Sequence, residues 1–280
     1  MLDTSIQQTS PGKNGVSSVT ARQYKVLLWG HARGHNGPVT DPGVLASPNI
    51  WHWPDVYARE NTAQDADGAI WAALREVAPW AGKDIVDVGC GDGFHLPQFA
   101  QRARTVVGVE PHPPLVMRAR RRVGDLAYVR VLVGCAQRLP LPDSSVDLVH
   151  ARVAYFFGPG CECGLAEARR VLRPGGTTVV IDLDGTHGPY GQWLCAAAPR
   201  YRPAAVEAFF AAQGFDCRRV DTIWRFRTRG DLEDALRIEF TPKVAARAIA
   251  QTSGLTLPVR YRLHLRRERT VVTVGHWRAR

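Results

Sequence analysis

Three glycines at alternate positions, Gly89, Gly91 and Gly93, constrain the fold of this chain more than any other feature. Ahead of them, Ile85, Val86 and Val88 read as a short buried strand. After them, Phe94 to Arg102 reads as a helix with Leu96 and Phe99 on its inner face. Without Cβ atoms the backbone between them turns tightly and lets a ligand approach closely. Strand, glycine loop and helix make the nucleoside-binding corner of a doubly wound sheet. The spacing is Gly-x-Gly-x-Gly, not the Gly-x-Gly-x-x-Gly of dinucleotide folds. A pyrophosphate seeks bare N–H groups at a helix N-terminus. Asp87 and Asp92 place carboxylates there instead, which repel phosphate and suit a cation bearing hydroxyls.

A second apolar run, Thr105 to Val109, ends in Glu110. Glu110 lies about 20 residues beyond the first glycine, the distance at which an acid reaches ribose hydroxyls. The ligand so described is a ribonucleoside with positive charge and no phosphate, and S-adenosylmethionine fits. Over Ala81 to about Leu183 the chain resembles the class I S-adenosylmethionine-dependent methyltransferases, most closely the type 11 group. The stretches that carry this are Asp84–Gly93, Val106–Pro111, Gly134–Val149 and Ala168–Asp184. The resemblance implies an α/β fold: a doubly wound, mostly parallel seven-stranded sheet with an antiparallel final strand, Rossmann-like. It implies S-adenosylmethionine as cofactor, held by Asp87, Gly89, Cys90, Gly91, Asp92, Gly93, Glu110, Pro111, Cys135, Ala136, Gln137 and Ala151. It also makes Tyr57 a lid residue, with simple packing as the alternative. The family usually has an Asp where Cys135 stands, so contact with adenine falls to the Ala136 N–H.

The chain has 280 residues, 45% of them hydrophobic, enough for one large domain with additions. Its net charge is +10, carried almost wholly by arginine, since Lys13, Lys25, Lys83 and Lys243 are the only lysines. The charge allows a nucleic-acid partner; it equally fits the arginine bias of a GC-rich genome. No apolar run is long enough to span a membrane, and no signal peptide is seen, so a cytoplasmic protein is expected. The six cysteines lack zinc-ligand spacing, and no metal site is expected.

Residues 1–48 are expected to form a disordered or poorly ordered extension, 49–80 a helical lid, and 81–280 the cofactor-binding domain. Within that domain, 184–280 is expected to set acceptor choice. Asp65 to Ala78 reads as an amphipathic helix. Leu115 to Val123 is a helix crowded with Arg118, Arg120, Arg121 and Arg122, either a nucleic-acid patch or a solvated face. Further strands are expected at Tyr128–Val133, Val146–His150, Thr177–Leu183, Asp216–Phe226 and Arg260–Val274, and helices at Glu162–Leu172, Pro203–Gln213 and Leu232–Ala250, the last interrupted by Pro242. The arginines of 225–229 and 260–267 either line a basic acceptor pocket or cover an edge strand.

These features suggest methyl transfer to an O, N or C atom of a small molecule, possible work for specialised metabolism. RNA is the alternative acceptor, and a non-catalytic cofactor-binding protein the third reading. His150, His112 and His187 are the candidate bases, because only histidine titrates near neutrality unaided. The acceptor is expected between Tyr57 and the strand ends carrying His150, Arg152, Tyr155 and His187, with Trp51, Trp53, Phe156 and Phe157 as aromatic walls.

Overall fold

A computed structural model describes residues 44, 46–155 and 158–269. The expected tail at 1–20, Phe156, Phe157 and the far end of the last strand lie outside these residues.

The first strand, β1 (Asp84–Val88), is buried at every position, as a strand covered on both faces must be. It pairs in parallel with β2 (Thr105–Glu110) on one side and β4 (Val146–Arg152) on the other. Beyond β2 lies β3 (Val129–Val133), and beyond β4 lies β5 (Leu172–Leu183), all parallel. The chain then adds β7 (Thr256–Arg267) antiparallel to β5, with β6 (Asp216–Arg225) outermost and antiparallel to β7. The order β3-β2-β1-β4-β5-β7-β6 is the doubly wound sheet expected from the sequence. Chain direction along the sheet reverses between β1 and β4, so the crevice outside their carboxyl ends is where such a fold takes a ligand. Since β6 is the edge, β7 is an interior strand, and Arg262 and Arg266 on it are buried rather than exposed.

Ahead of the sheet, the described residues form α1 (Pro48–His52), α2 (Pro54–Ala63) and α3 (Ala69–Val77). The helix expected from Asp65 starts only at Ala69, because Asp65 (φ +51°) and Gly68 (φ +69°) are left-handed. Asp65 instead caps the start: its carboxylate accepts from the N–H groups of Ile70 (2.9 Å) and Trp71 (3.3 Å) and from Thr222 Oγ1 on β6 (2.9 Å). The segment 49–80 therefore divides. Helix α3 packs on β6 and β7, while α1 and α2 approach the ligand edge. The glycine loop leads into α4 (Leu96–Ala100), shorter than the sequence suggests, and β2 into α5 (Pro113–Arg122). Leu74, Ile85, Leu96 and Phe99 are fully buried where these elements meet, and each contributes about 1.5–3 kcal/mol.

Helix α6 (Glu162–Val171) precedes β5, and α7 (Gly188–Ala197) and α8 (Pro203–Ala212) lie between β5 and β6. Between β6 and β7, Pro242 splits the helical stretch into α9 (Arg229–Glu239) and α10 (Pro242–Gln251). Among the described residues no helix is long and apolar enough to cross a membrane.

Candidate functional site

The glycine loop leaves β1 with Gly89 at φ +72° and Gly91 at φ +58°, a region that non-glycine residues avoid. A Cβ on Gly89 would lie 2.7 Å from Ala154 Cβ, and one on Gly91 would lie 2.8 Å from Ile50 Cδ1. The loop is thus narrow, bounded by the segment after β4 on one side and by α1 on the other. Glu110, at the end of β2, ties it down. Its carboxylate accepts from Gly91 N–H (3.1 Å) and from His112 N–H (3.0 Å).

Two further carboxylates flank the loop, Asp87 at the end of β1 and Asp92 within it, each with one oxygen engaged. Asp87 Oδ1 meets His150 Nδ1 at 2.7 Å, and Asp92 Oδ2 meets Arg122 at 2.5 Å. Asp87 Oδ2 and Asp92 Oδ1 are buried and have no hydrogen-bond partner among the described residues. A buried acceptor without a donor is costly, so this cradle fits a cationic ligand with several donors. Cys90 sits between these acids; burial, then the charges of Asp87, Glu110 and Asp92, push its thiol pKa well up. It stays a thiol and fills the space beside Gly108. Cys135 and Ala151 are buried, Ala136 packs near Gly164, and Pro111 is half-buried.

The histidines do not converge. The ring of His150 lies beneath the loop, almost wholly buried, paired with Asp87 and 4.9 Å from the Phe99 ring. His112 stacks on Trp51 at 4.1 Å, and burial lowers its pKa. His187 is exposed where α7 begins. Tyr155 is buried against α6, its hydroxyl donating to Gly164 O at 3.3 Å. Of the expected acceptor-pocket residues, Tyr57 lines a concave space and Arg152 reaches its wall. Trp53 is 44% exposed and lies outside that lining.

That space is bounded by α2, α9 and the ends of β4 and β5, with Val153 and Leu183 at the strand ends. Two acids missed by sequence reasoning, Glu60 and Glu239, lie in its wall, 2% and 7% exposed. Glu239 accepts from Asn49 Nδ2 (2.6 Å) and from Tyr190 OH (2.6 Å). Glu60 Oε1 accepts from Gln64 Nε2 (2.8 Å), and Gln64 Oε1 accepts from Arg152 (2.8 Å). A signal was present for Glu239. Leu232, Ala235, Leu236 and Glu239 fall at helical spacing on the apolar face of α9, so its carboxylate points inward. Val153 is strained at φ +51°, where a β-branched residue is a true outlier.

Burial raises the proton affinity of both acids, that of Glu60 strongly and that of Glu239 from 4.5 to about 7. A carboxyl whose folded pKa lies above its unfolded one contributes stability at low pH, lost as pH rises through the folded value. The neutral variant Glu239→Gln should therefore lose less stability than the parent between pH 5 and 8, by on the order of 2 kcal/mol. Urea melts of both proteins at the two pH values check this, and parallel pH profiles would refute it.

Residues 86–180 match a family model described as a methyltransferase domain. An uncharacterized methyltransferase of Synechocystis sp. is 34% identical over 123 residues, 43% of this chain and 55% of that protein. An uncharacterized 37.1 kDa protein in transposon TN4556 of Streptomyces fradiae is 38% identical over 107 residues, 37% of this chain and 31% of that protein. The matches thus span about half, or less, of these relatives' lengths. Among solved structures, the YcgJ protein of Bacillus subtilis is alike in fold, with TM-score 0.54 and 16% identity over 72% of this chain and 99% of that chain.

Proposed function

We propose, from the premise that residues 86–180 belong to the class I methyltransferase domain family, that this protein moves a methyl group from S-adenosylmethionine to a small molecule. The donor supplies an electrophilic methyl on a sulfonium. The protein's part is to hold that cation, exclude water and present a nucleophile in line, and alignment of this kind provides much of a rate enhancement. The observation that carries the reading is the cradle at Gly89 and Gly91 with its two orphan carboxylate oxygens. Asp87 and Asp92 would balance the positive charge of the donor's amino-acid end, with Gly89, Cys90, Gly91 and Gly93 against it. Glu110 would accept from the ribose hydroxyls, while Pro111, Cys135, Ala136, Gln137 and Ala151 would surround the base. Tyr57 belongs to the acceptor side in this reading.

The RNA alternative loses its motive from the charge of α5. Arg118 pairs with Asp55 (2.8 Å), Arg122 pairs with Asp92, and Arg120 donates to Val131 O (3.1 Å). Of the α5 arginines, Arg121 alone is exposed with no partner among the described residues, and one arginine does not make a continuous basic track.

Glu110→Ala is expected to weaken donor binding by about 1.5–3 kcal/mol, the usual loss for hydrogen bonds to a charged group. Calorimetry with S-adenosylhomocysteine reads this directly. Unchanged affinity would remove Glu110 from the site, and no binding by the parent chain would remove the function.

A further inference from the structure

We propose that the pocket holding Glu60 and Glu239 binds the acceptor, and that the acceptor is an organic amine whose nitrogen is held by Glu60 and Asn49. The proposal rests on the methyltransferase reading, which supplies the need for an acceptor. It starts from a count of donors and acceptors. The donors placed on these groups are Asn49 Nδ2 and Tyr190 OH on Glu239, Gln64 Nε2 on Glu60, and Arg152 on Gln64 Oε1. Tyr261 OH also turns to Gln64 Oε1 (3.2 Å). Left over are two acceptors. Glu60 Oε2 and Asn49 Oδ1 are buried without a hydrogen-bond partner among the described residues, on side chains each 2% exposed that line the pocket. Such a site wants a ligand rich in N–H donors. An ammonium brings three, a hydroxyl one and a carboxylate none. Tyr57 and Trp224 add aromatic rings to the same wall, and aromatic faces attract cations; the Tyr261 ring already carries the Arg152 guanidinium, 5.1 Å from its centre.

The pocket also stands in the right place. Val153 lines it, and its neighbour Ala154 packs over Gly89; Asn49 lines it, and its neighbour Ile50 packs over Gly91. A nucleophile held here adjoins the glycine loop. An ammonium has no lone pair and must first lose a proton. The step balances from ionised Glu60: the proton that burial holds on the carboxyl in the empty pocket leaves to solvent as the ammonium enters, then an N–H bond breaks, an O–H bond forms on Glu60 Oε2, and the ion pair becomes a neutral amine and a neutral acid. Burial disfavours both charges and so drives the proton to the oxygen. Glu239, with both oxygens engaged, positions Asn49 and takes no proton from the ligand.

The test uses small probes of similar shape and different charge, matched to a cavity of about 30 Å³: ethylamine, ethanol and acetate. Calorimetry on the full chain should rank the amine first by at least about tenfold. Glu60→Gln should weaken the amine by about tenfold or more and leave the alcohol unchanged. S-adenosylhomocysteine affinity reports whether that variant is folded, and the ranking by the parent chain decides the matter if it is not. The proposal is overturned if the alcohol or the acid binds as tightly as the amine, if no probe binds, or if a folded Glu60→Gln holds the amine as well as the parent. A parent chain that binds no S-adenosylhomocysteine sinks the methyltransferase reading instead, and leaves the amine ranking to stand alone.

Discussion

Arg262→Ala is expected to destabilise the protein by about 3–5 kcal/mol, the usual result of stranding a buried charge. Arg262 is fully buried on β7, and across the sheet Asp182 on β5 is its register partner. The guanidinium grips that carboxylate with two bonds, 3.1 and 3.0 Å, and donates to Pro203 O (3.0 Å) and Tyr201 OH (2.9 Å). Removing it leaves Asp182, 3% exposed, without the guanidinium that pairs with it. Replacing both members, with Arg262→Met and Asp182→Leu, should recover much of the loss, because the desolvation of both charges disappears together. Urea denaturation of the single and double variants measures this. A single-variant loss under about 1 kcal/mol, the level of an exposed pair, would show that the network is not needed.

Gly91→Val should abolish donor binding while the fold survives. Gly91 is left-handed, and a side chain there would enter the space held by Ile50. Forcing a β-branched residue into that conformation stores about 1–3 kcal/mol of strain. Relief by turning the backbone would break the Gly91 N–H bond to Glu110. Calorimetry with S-adenosylhomocysteine should read a loss beyond about a hundredfold, while circular dichroism stays that of the parent. Normal affinity in a folded Gly91→Val would place the donor elsewhere.

The first five strands were legible because parallel strands buried on both faces are apolar runs, as β1 is, and because β3 alternates buried and exposed positions around apolar residues, while the glycine loop marks its own turn. Helix α7 was not: Gly-Pro-Tyr-Gly-Gln-Trp-Leu-Cys carries two glycines, a proline and little polar face, and it is held by the buried Tyr190, Trp193 and Leu194, with Tyr190 OH on Glu239 and Trp193 Nε1 on Gln251. The last strand was displaced toward the C-terminus because the run of arginines at 260–267 suggests an exposed edge, whereas Asp182 and Asp221 neutralise two of them. His150 looked like a lone base at a strand end. Its partner Asp87 is directly opposite on β1, a pairing visible only once β1 and β4 are known to be neighbours. Glu60 and Glu239 come from helices far apart in the chain, and only the fold brings them to one wall.

Helix α1 has five residues, and two consecutive ones face different ligands in the proposed scheme: Asn49 the acceptor pocket, Ile50 the glycine loop. A rigid turn cannot move one without moving the other. Filling either cavity then changes the free energy of filling its neighbour, and by the same amount in both directions. The two substrates would sense each other through one helical turn, so each one's dissociation constant is expected to depend on whether the other is bound.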